Sequence, residues 1–204
     1  ALFQKGCASG DGRGCFHVGT RSEEKGGWFQ KSCDAGYRDG CLALGEVWER
    51  QGQLEKTRDL YQQVCDSKYA NGCTALGHLY EDGLAVQKNP IRARELYGIG
   101  CQHGDPQGCS LLGDLEKEGV GAPRDPRKAA TLYRKGCDGG SFDGCVSLGA
   151  LIVGHEIPGD PAEGRALFTR ACDAGHARGC SNLGVLHERA GENPQALARY
   201  AAGC

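Results

Sequence analysis

Cysteines eight residues apart recur along this chain, at Cys7/Cys15, Cys33/Cys41, Cys65/Cys73, Cys101/Cys109, Cys137/Cys145 and Cys172/Cys180, with Cys204 left over at the end. Each second cysteine sits in Gly-Cys-x-x-Leu/Val-Gly, and Phe or Tyr stands four residues before each first cysteine. A period this regular marks a repeat array, in which one supersecondary unit is copied and stacked. The spacing also restricts the backbone. Eight residues along one α-helix rise about 12 Å, whereas a disulfide needs Cα atoms roughly 4.4–6.8 Å apart. Each pair can be bridged only where the chain reverses between its members. Gly10, Gly36, Gly104, Gly140 and Gly175 lie three residues past a first cysteine, where a left-handed helix terminus favours glycine, and Lys68 alone breaks the rule. The expected element is a helix end, a tight turn and a helix start, clipped by the disulfide.

Zinc or redox use of these cysteines fits less well. Zinc ligands usually stand two to four residues apart, often with histidine, and no Cys-x-x-Cys is present. Thirteen cysteines arranged for pairing point to an oxidising, extracytoplasmic space: periplasm, cell surface or secretion. A formal charge of −2 gives no general electrostatic reason to expect nucleic acid or an anionic membrane. No apolar run approaches the roughly 20 residues of a transmembrane helix. The chain lacks methionine, begins within a helix end at Leu2 to Cys7 and stops at Cys204, so it reads as a processed or cut part of a longer protein. Cys204 is expected to be unpaired within it.

The chain divides into repeats at about 8–33, 34–65, 66–101, 102–137, 138–172 and 173–204, read as one continuous array over 1–204 after the end of a preceding helix. The first repeat is short: 17 residues separate Cys15 from Cys33, against 23 to 27 in the later repeats. Either its helix pair is clipped, or a loop near Ser22 to Gly27 is missing. In the next repeat Cys41, Leu44, Val47 and Trp48 share one helical stripe, and Leu60 and Tyr61 point inward from the following helix. Leu76, Leu79 and Tyr80, then Ile91, Leu96 and Tyr97, repeat the pattern. Asn89-Pro90, Asp125-Pro126, Asp160-Pro161 and Asn193-Pro194 each read as a capping residue followed by proline at the first helical position. Gly19, Gly45, Gly77, Gly113, Gly149 and Gly184 fall mid-helix, where glycine costs about 1 kcal/mol relative to alanine. Their recurrence implies a neighbour packed too close for a Cβ. Thr57, Ala93, Ala129, Gly164 and Ala196, eight before the first cysteines, suit the same contact.

Gly-Cys-x-x-Leu-Gly, a Gly-rich loop, Asp/Asn-Pro and Leu-Tyr-x-x-x-Cys together resemble the Sel1-like repeats, relatives of tetratricopeptide repeats. The likeness is strongest to the disulfide-stapled subgroup typified by the Helicobacter cysteine-rich protein family, and it covers essentially the whole chain. It implies an all-α fold: a right-handed α-solenoid of stacked helix-turn-helix repeats, with first helices lining the concave face.

Catalytic constellations are scarce. Ser22-Glu23-Glu24-Lys25 has the Ser-x-x-Lys spacing of penicillin-recognising serine enzymes, without a Lys-Thr-Gly or Ser-Asp-Asn partner. His155-Glu156 is not part of His-Glu-x-x-His, and neither a metal site nor a cofactor is expected. One surface stands out. Positions two, five and nine past each second cysteine share a helical face, and there the candidate binding residues are Glu46, Arg50, His78, Asp82, Asp114, Glu118, Asn182 and Arg189. On a concave face these would form a groove with an acidic centre at Asp82, Asp114 and Glu118, suited to a basic segment. The expected function is a non-catalytic extracytoplasmic scaffold binding a protein or extended peptide. The resemblance also carries an alternative, a cell-wall-directed penicillin-binding or β-lactamase-like activity, and a third possibility, an organellar assembly factor in a disulfide-forming space.

Overall fold

Thirteen α-helices, and no strand, make up the described part of a computed structural model, which covers residues 2–203. Cys204 lies outside the described residues. The chain falls into two compact units, the first ending at His103 and the second beginning at Gly104. The first unit holds α1 (Leu2–Ala8), α2 (Gly12–Gly19), α3 (Lys25–Asp34), α4 (Arg38–Arg50), α5 (Leu54–Asp66), α6 (Ala70–Asp82) and α7 (Pro90–Gln102). The second holds α8 (Pro106–Glu118), α9 (Pro126–Asp138), α10 (Phe142–Val153), α11 (Pro161–Asp173), α12 (Ala177–Arg189) and α13 (Asn193–Ala202). The fold is a stapled α-solenoid, built of helix pairs. The even-numbered helices are the first helices of the repeats.

The cysteine spacing produces the predicted reversal. Cys7–Cys15, Cys33–Cys41, Cys65–Cys73, Cys137–Cys145 and Cys172–Cys180 are disulfides with Cα atoms 4.4 to 4.6 Å apart. Cys101 and Cys109 are also in disulfide form. At the α9 end the Gly140 N–H bonds to the Cys137 carbonyl and the Ser141 N–H to that of Gly136, with Gly140 at φ 105°. This left-handed residue turns the chain and satisfies carbonyls that the helix end would orphan. Lys68 adopts the same conformation at φ 62° without being glycine. The exception in sequence is no exception in backbone.

Pro sits at the start of α7, α8, α9 and α11, after Asn89, Asp105, Asp125 and Asp160, each of which accepts a backbone N–H in the first turn. Asn193 does not do so: α13 begins on Asn193 itself, and Glu192 precedes it without a side-chain cap. The mid-helix glycines meet aromatic rings. A Cβ on Gly19, Gly45, Gly77, Gly113, Gly149 or Gly184 would approach Phe29, Tyr61, Tyr97, Tyr133, Phe168 or Tyr200 to 2.2–2.8 Å. The small residues close the same junction, and Thr57 donates its hydroxyl to the Gly45 carbonyl at 3.3 Å. Leu44, Leu76, Leu79, Leu96, Leu148 and Leu183 fill the interior between these rings.

The inward assignment of Ile91 needs correction, and one aromatic of the repeat pattern, Phe3, also lies outward. Ile91 is 57% exposed, because the second position of α7 points past the last packed turn. Phe3 is 42% exposed: among the described residues no first helix precedes α1 to receive its ring. It lies instead against His17, centroids 4.7 Å apart, with the Arg21 guanidinium 5.5 Å above it. In the short first repeat α2 has 8 residues and α3 has 10, joined through residues 20–24.

Candidate partner-binding surface

The first helices touch one another in sequence within each unit, α2 with α4 and α4 with α6, and α8 with α10 and α10 with α12. Their starts are tied by side chains. In the first unit the Tyr69 hydroxyl donates to Asp39, and Arg38 lies over the Tyr69 ring. In the second the Ser141 hydroxyl donates to Gln107 Oε1 at 3.0 Å, and Asp143 is met by His176 at 3.1 Å and Arg178 at 3.4 Å. The residue before each of these helices thus reaches back to the one before it.

The candidate residues occupy the outward stripe. Glu46, Arg50, His78 and Asp82 in the first unit are exposed, as are Glu118 and Arg189 in the second, whereas Asp114 and Asn182 are half-buried. Several are not free. Asp114 accepts the Tyr133 hydroxyl at 2.6 Å, and burial raises its carboxyl above the ordinary range against the opposing pull of Tyr133, Lys117 and Arg178. Burial and then the hydrogen bond to Asp114 push the Tyr133 phenol up in turn. In the first unit the Tyr97 hydroxyl donates to Glu81 at 2.5 Å and lies 3.1 Å from His78 Nδ1. The Tyr97 hydroxyl thus stands between Glu81 and the His78 ring.

These phenols are the part of the surface that sequence reasoning missed. The aromatics ahead of the cysteines look like core alone, yet Tyr97, Tyr133 and Tyr200 carry a hydroxyl through to the first-helix face, Tyr200 to Glu188 at 2.9 Å. A signal existed in the residues five and eight past the second cysteine. Opposite Tyr61, Tyr97 and Tyr200 stand Glu46/Glu49, His78/Glu81 and Val185/Glu188, while Phe168 faces Ala150 and Val153. The ring bears a hydroxyl opposite these polar partners, and only the short first repeat departs from the rule, with Phe29 against Thr20 and Glu23.

Ser22 accepts the Glu24 N–H at 3.2 Å and shares no hydrogen bond with Lys25 among the described residues. There too, no group of three or more His, Cys, Asp or Glu side chains gathers to hold a metal, and no helix is long and apolar enough to cross a membrane. On the first unit a cleft of about 430 Å³ opens beside α4, lined by Phe16, Thr20, Lys25, Phe29, Asp39, Leu42, Ala43, Glu46 and Arg50.

The family described as Sel1 repeat matches residues 27–37, 70–105, 106–141 and 144–176. No curated protein sequence matches the chain. Among solved structures, a Sel1 repeat protein from Oxalobacter formigenes superposes with a TM-score of 0.82 at 19% identity, covering 99% of this chain and 91% of that one. Helicobacter pylori cysteine rich protein B is 31% identical, with a TM-score of 0.50, over 58% of this chain and 87% of its own. The protective antigen c5321 of uropathogenic Escherichia coli, described as displaying an SLR fold, gives a TM-score of 0.75 at 20% identity. That match covers 98% of this chain, which spans 47% of the antigen's length.

Proposed function

Since the chain belongs to the Sel1 repeat family, we propose that it is a non-catalytic scaffold that binds a protein or an extended peptide on the face formed by its first helices. The observation that carries this reading is the side-chain economy of that face. The first helices α4, α6, α8 and α12 bury cysteine and leucine and turn Glu46, Arg50, His78, Asp82, Glu118 and Arg189 outward, with Asp114 and Asn182 half-buried beside them, at recurring positions on a stapled backbone. Repeat arrays present extended surfaces of this kind to elongated partners. Such a surface binds with little ordering cost, because its helices are held before the partner arrives. Asp82 in the first unit, and Asp114 and Glu118 in the second, give each unit's face a preference for basic groups. The disulfides support an extracytoplasmic setting, since staples of this density persist where thiols are oxidised. The 31% identity to Helicobacter pylori cysteine rich protein B supports membership of the same stapled class.

The test is capture from an envelope extract with the oxidised protein, beside an Asp114→Lys/Glu118→Lys version checked for unchanged circular dichroism. A stoichiometric partner, identified by mass spectrometry and rebound as a pure protein, is expected to be lost on charge reversal. A partner retained by both versions moves the site off this face. Turnover of a chromogenic β-lactam that disappears in Ser22→Ala would overturn the non-catalytic reading.

A further inference from the structure

The staples are alike in geometry but not in cover. Eleven of the twelve stapled cysteines are buried, and Cys33 alone is half-buried. It lines a cleft of about 500 Å³ between α3, α4 and α5, with Gln30, Asp34, Trp48, Lys56, Asp59 and Gln63 around it. In two other repeats the first cysteine is covered by the residue two places before the next one. For Cys65 it is Ile99, packed against the cluster that holds Cys65. For Cys137 it is Arg170, whose guanidinium lies 3.4 Å from Cys137 Sγ and donates to the Cys137 carbonyl at 3.0 Å. For Cys33 it is Gln63, which is exposed. The two sulfurs of this staple also differ as leaving groups. Cys33 is the penultimate residue of α3, whereas Cys41 stands at the start of α4. The peptide dipoles favour a thiolate at Cys41 and disfavour one at Cys33. Asp39, the opposing charge in that first turn, is engaged by the Tyr69 hydroxyl. In the cleft Asp34 accepts from Gln30, Asp59 pairs with Arg58 and Lys56 donates to Gln53, so access rather than charge governs an incoming thiolate.

We propose that Cys33–Cys41 is a thiol-exchange site, the one staple that an outside thiol opens while the array stays folded. An incoming thiolate enters the cleft and attacks Cys33 Sγ. A new S–S bond forms to Cys33, the Cys33–Cys41 bond breaks, and its electron pair leaves on Cys41 Sγ, which takes a proton from water. The products are a mixed disulfide at Cys33 and a free thiol at Cys41. Return attack by Cys41 expels the outside thiol and restores the staple. Attack at the accessible sulfur expels the better leaving group, which is the faster direction of exchange. The thiol of a small molecule and the cysteine of a protein use the same step. This site does not depend on the scaffold reading, and the other staples hold the array while it is open.

The oxidised full chain is incubated with reduced glutathione, blocked with N-ethylmaleimide at successive times and mapped by peptide mass spectrometry. Glutathione is expected on Cys33 and N-ethylmaleimide on Cys41, at least about tenfold faster than at any other staple, since access limits exchange. The helical circular dichroism should be unchanged over that time. Gln63→Ile, which gives Cys33 the kind of cover that Ile99 gives Cys65, should slow the reaction at Cys33 several-fold and leave the other staples as they were. A second arm replaces glutathione with a thioredoxin-class dithiol protein whose resolving cysteine is serine, so that a protein mixed disulfide is trapped. Faster reaction of one or the other at Cys33 supports the site and assigns the source of its thiol. Glutathione first on Cys41, several staples modified together, or no modification of the native protein by either thiol would overturn the proposal. An unchanged rate in Gln63→Ile, with its melting curve showing it folded, would overturn it as well.

Discussion

The ring of Tyr61 lies so close to Gly45 that a methyl group on the glycine would stand 2.2 Å from Cε1. The same relation joins Gly77 to Tyr97, at 2.6 Å, and Gly113 to Tyr133, at 2.7 Å. Two effects oppose each other on substitution. Alanine is better than glycine within a helix by about 1 kcal/mol, but forcing extra volume into a packed junction costs typically 1–3 kcal/mol. Tyr133 is fully buried and pinned by its bond to Asp114, so the ring cannot swing away and overpacking wins. Gly113→Ala should therefore lower stability by up to about 2 kcal/mol net of the helix gain. In urea unfolding, Gly113→Ala/Tyr133→Leu should lose less than the sum of the single changes. Additive losses would show that the ring and the glycine are not the coupled pair.

Lys68 offers a substitution of the opposite sign. Its φ of 62° is a left-handed conformation that costs a non-glycine residue about 1–2 kcal/mol. Glycine removes that strain at a cost in unfolded-state entropy of roughly 0.5–1 kcal/mol. Lys68→Gly should thus gain some tenths of a kcal/mol to about 1 kcal/mol. Gly140→Ala, at φ 105° in the corresponding turn, should lose stability. A neutral or harmful Lys68→Gly would mean that local contacts of the lysine offset its backbone.

Much of this architecture was legible because the restricting residues are local. Cysteines eight apart, glycine three past the first, and proline after an acidic or amide residue each act within one turn of chain. Lys68 was misleading only in that the staple over-determines its turn: the backbone is set by Cys65 and Cys73, and the residue between complies. What escaped was tertiary. Ile91 matches the apolar period, but only the crossing of neighbouring helices decides whether the second residue of a helix is covered. The Tyr hydroxyls emerge on the far side of the first helices because the glycine lets the ring pass, a consequence of packing depth that spacing alone does not state. The cleft beside α4 lies at the short repeat between Cys15 and Cys33, but that Phe16, Phe29 and Leu42 line it depends on how three helices cross.

The staples should dominate stability. Each closes a loop of about nine residues, worth roughly 2–3 kcal/mol on the chain-entropy account, against a total of about 5–15 kcal/mol for a typical domain. A helix pair cannot bury its own apolar stripe and depends on its neighbours, so loss of one junction spreads along the array. Cys137→Ser/Cys145→Ser should lower the melting temperature and broaden the transition, and full reduction should unfold the protein at ambient temperature. Identical circular-dichroism melts with and without strong reductant would refute the staple account.

Asp114 gives the protein a signature in acid. Burial raises its folded-state carboxyl above the ordinary value, more than the Tyr133 hydroxyl, Lys117 and Arg178 lower it. The unfolded chain therefore gives up this proton at a lower pH than the native protein does. Between the two values the native state binds more protons, so stability falls as pH rises through that window. Above it the ionised, half-buried carboxylate remains a net cost at neutral pH. Asp114→Asn keeps an oxygen to accept from Tyr133 while removing the charge. It should raise stability at pH 7, have little effect near pH 3.5, and flatten this part of the stability profile. The measurement is urea unfolding of both proteins from pH 3 to 8. A variant that is less stable at pH 7, with its acid-side slope unchanged, would show that the Tyr133–Asp114 bond outweighs the desolvation of the carboxylate.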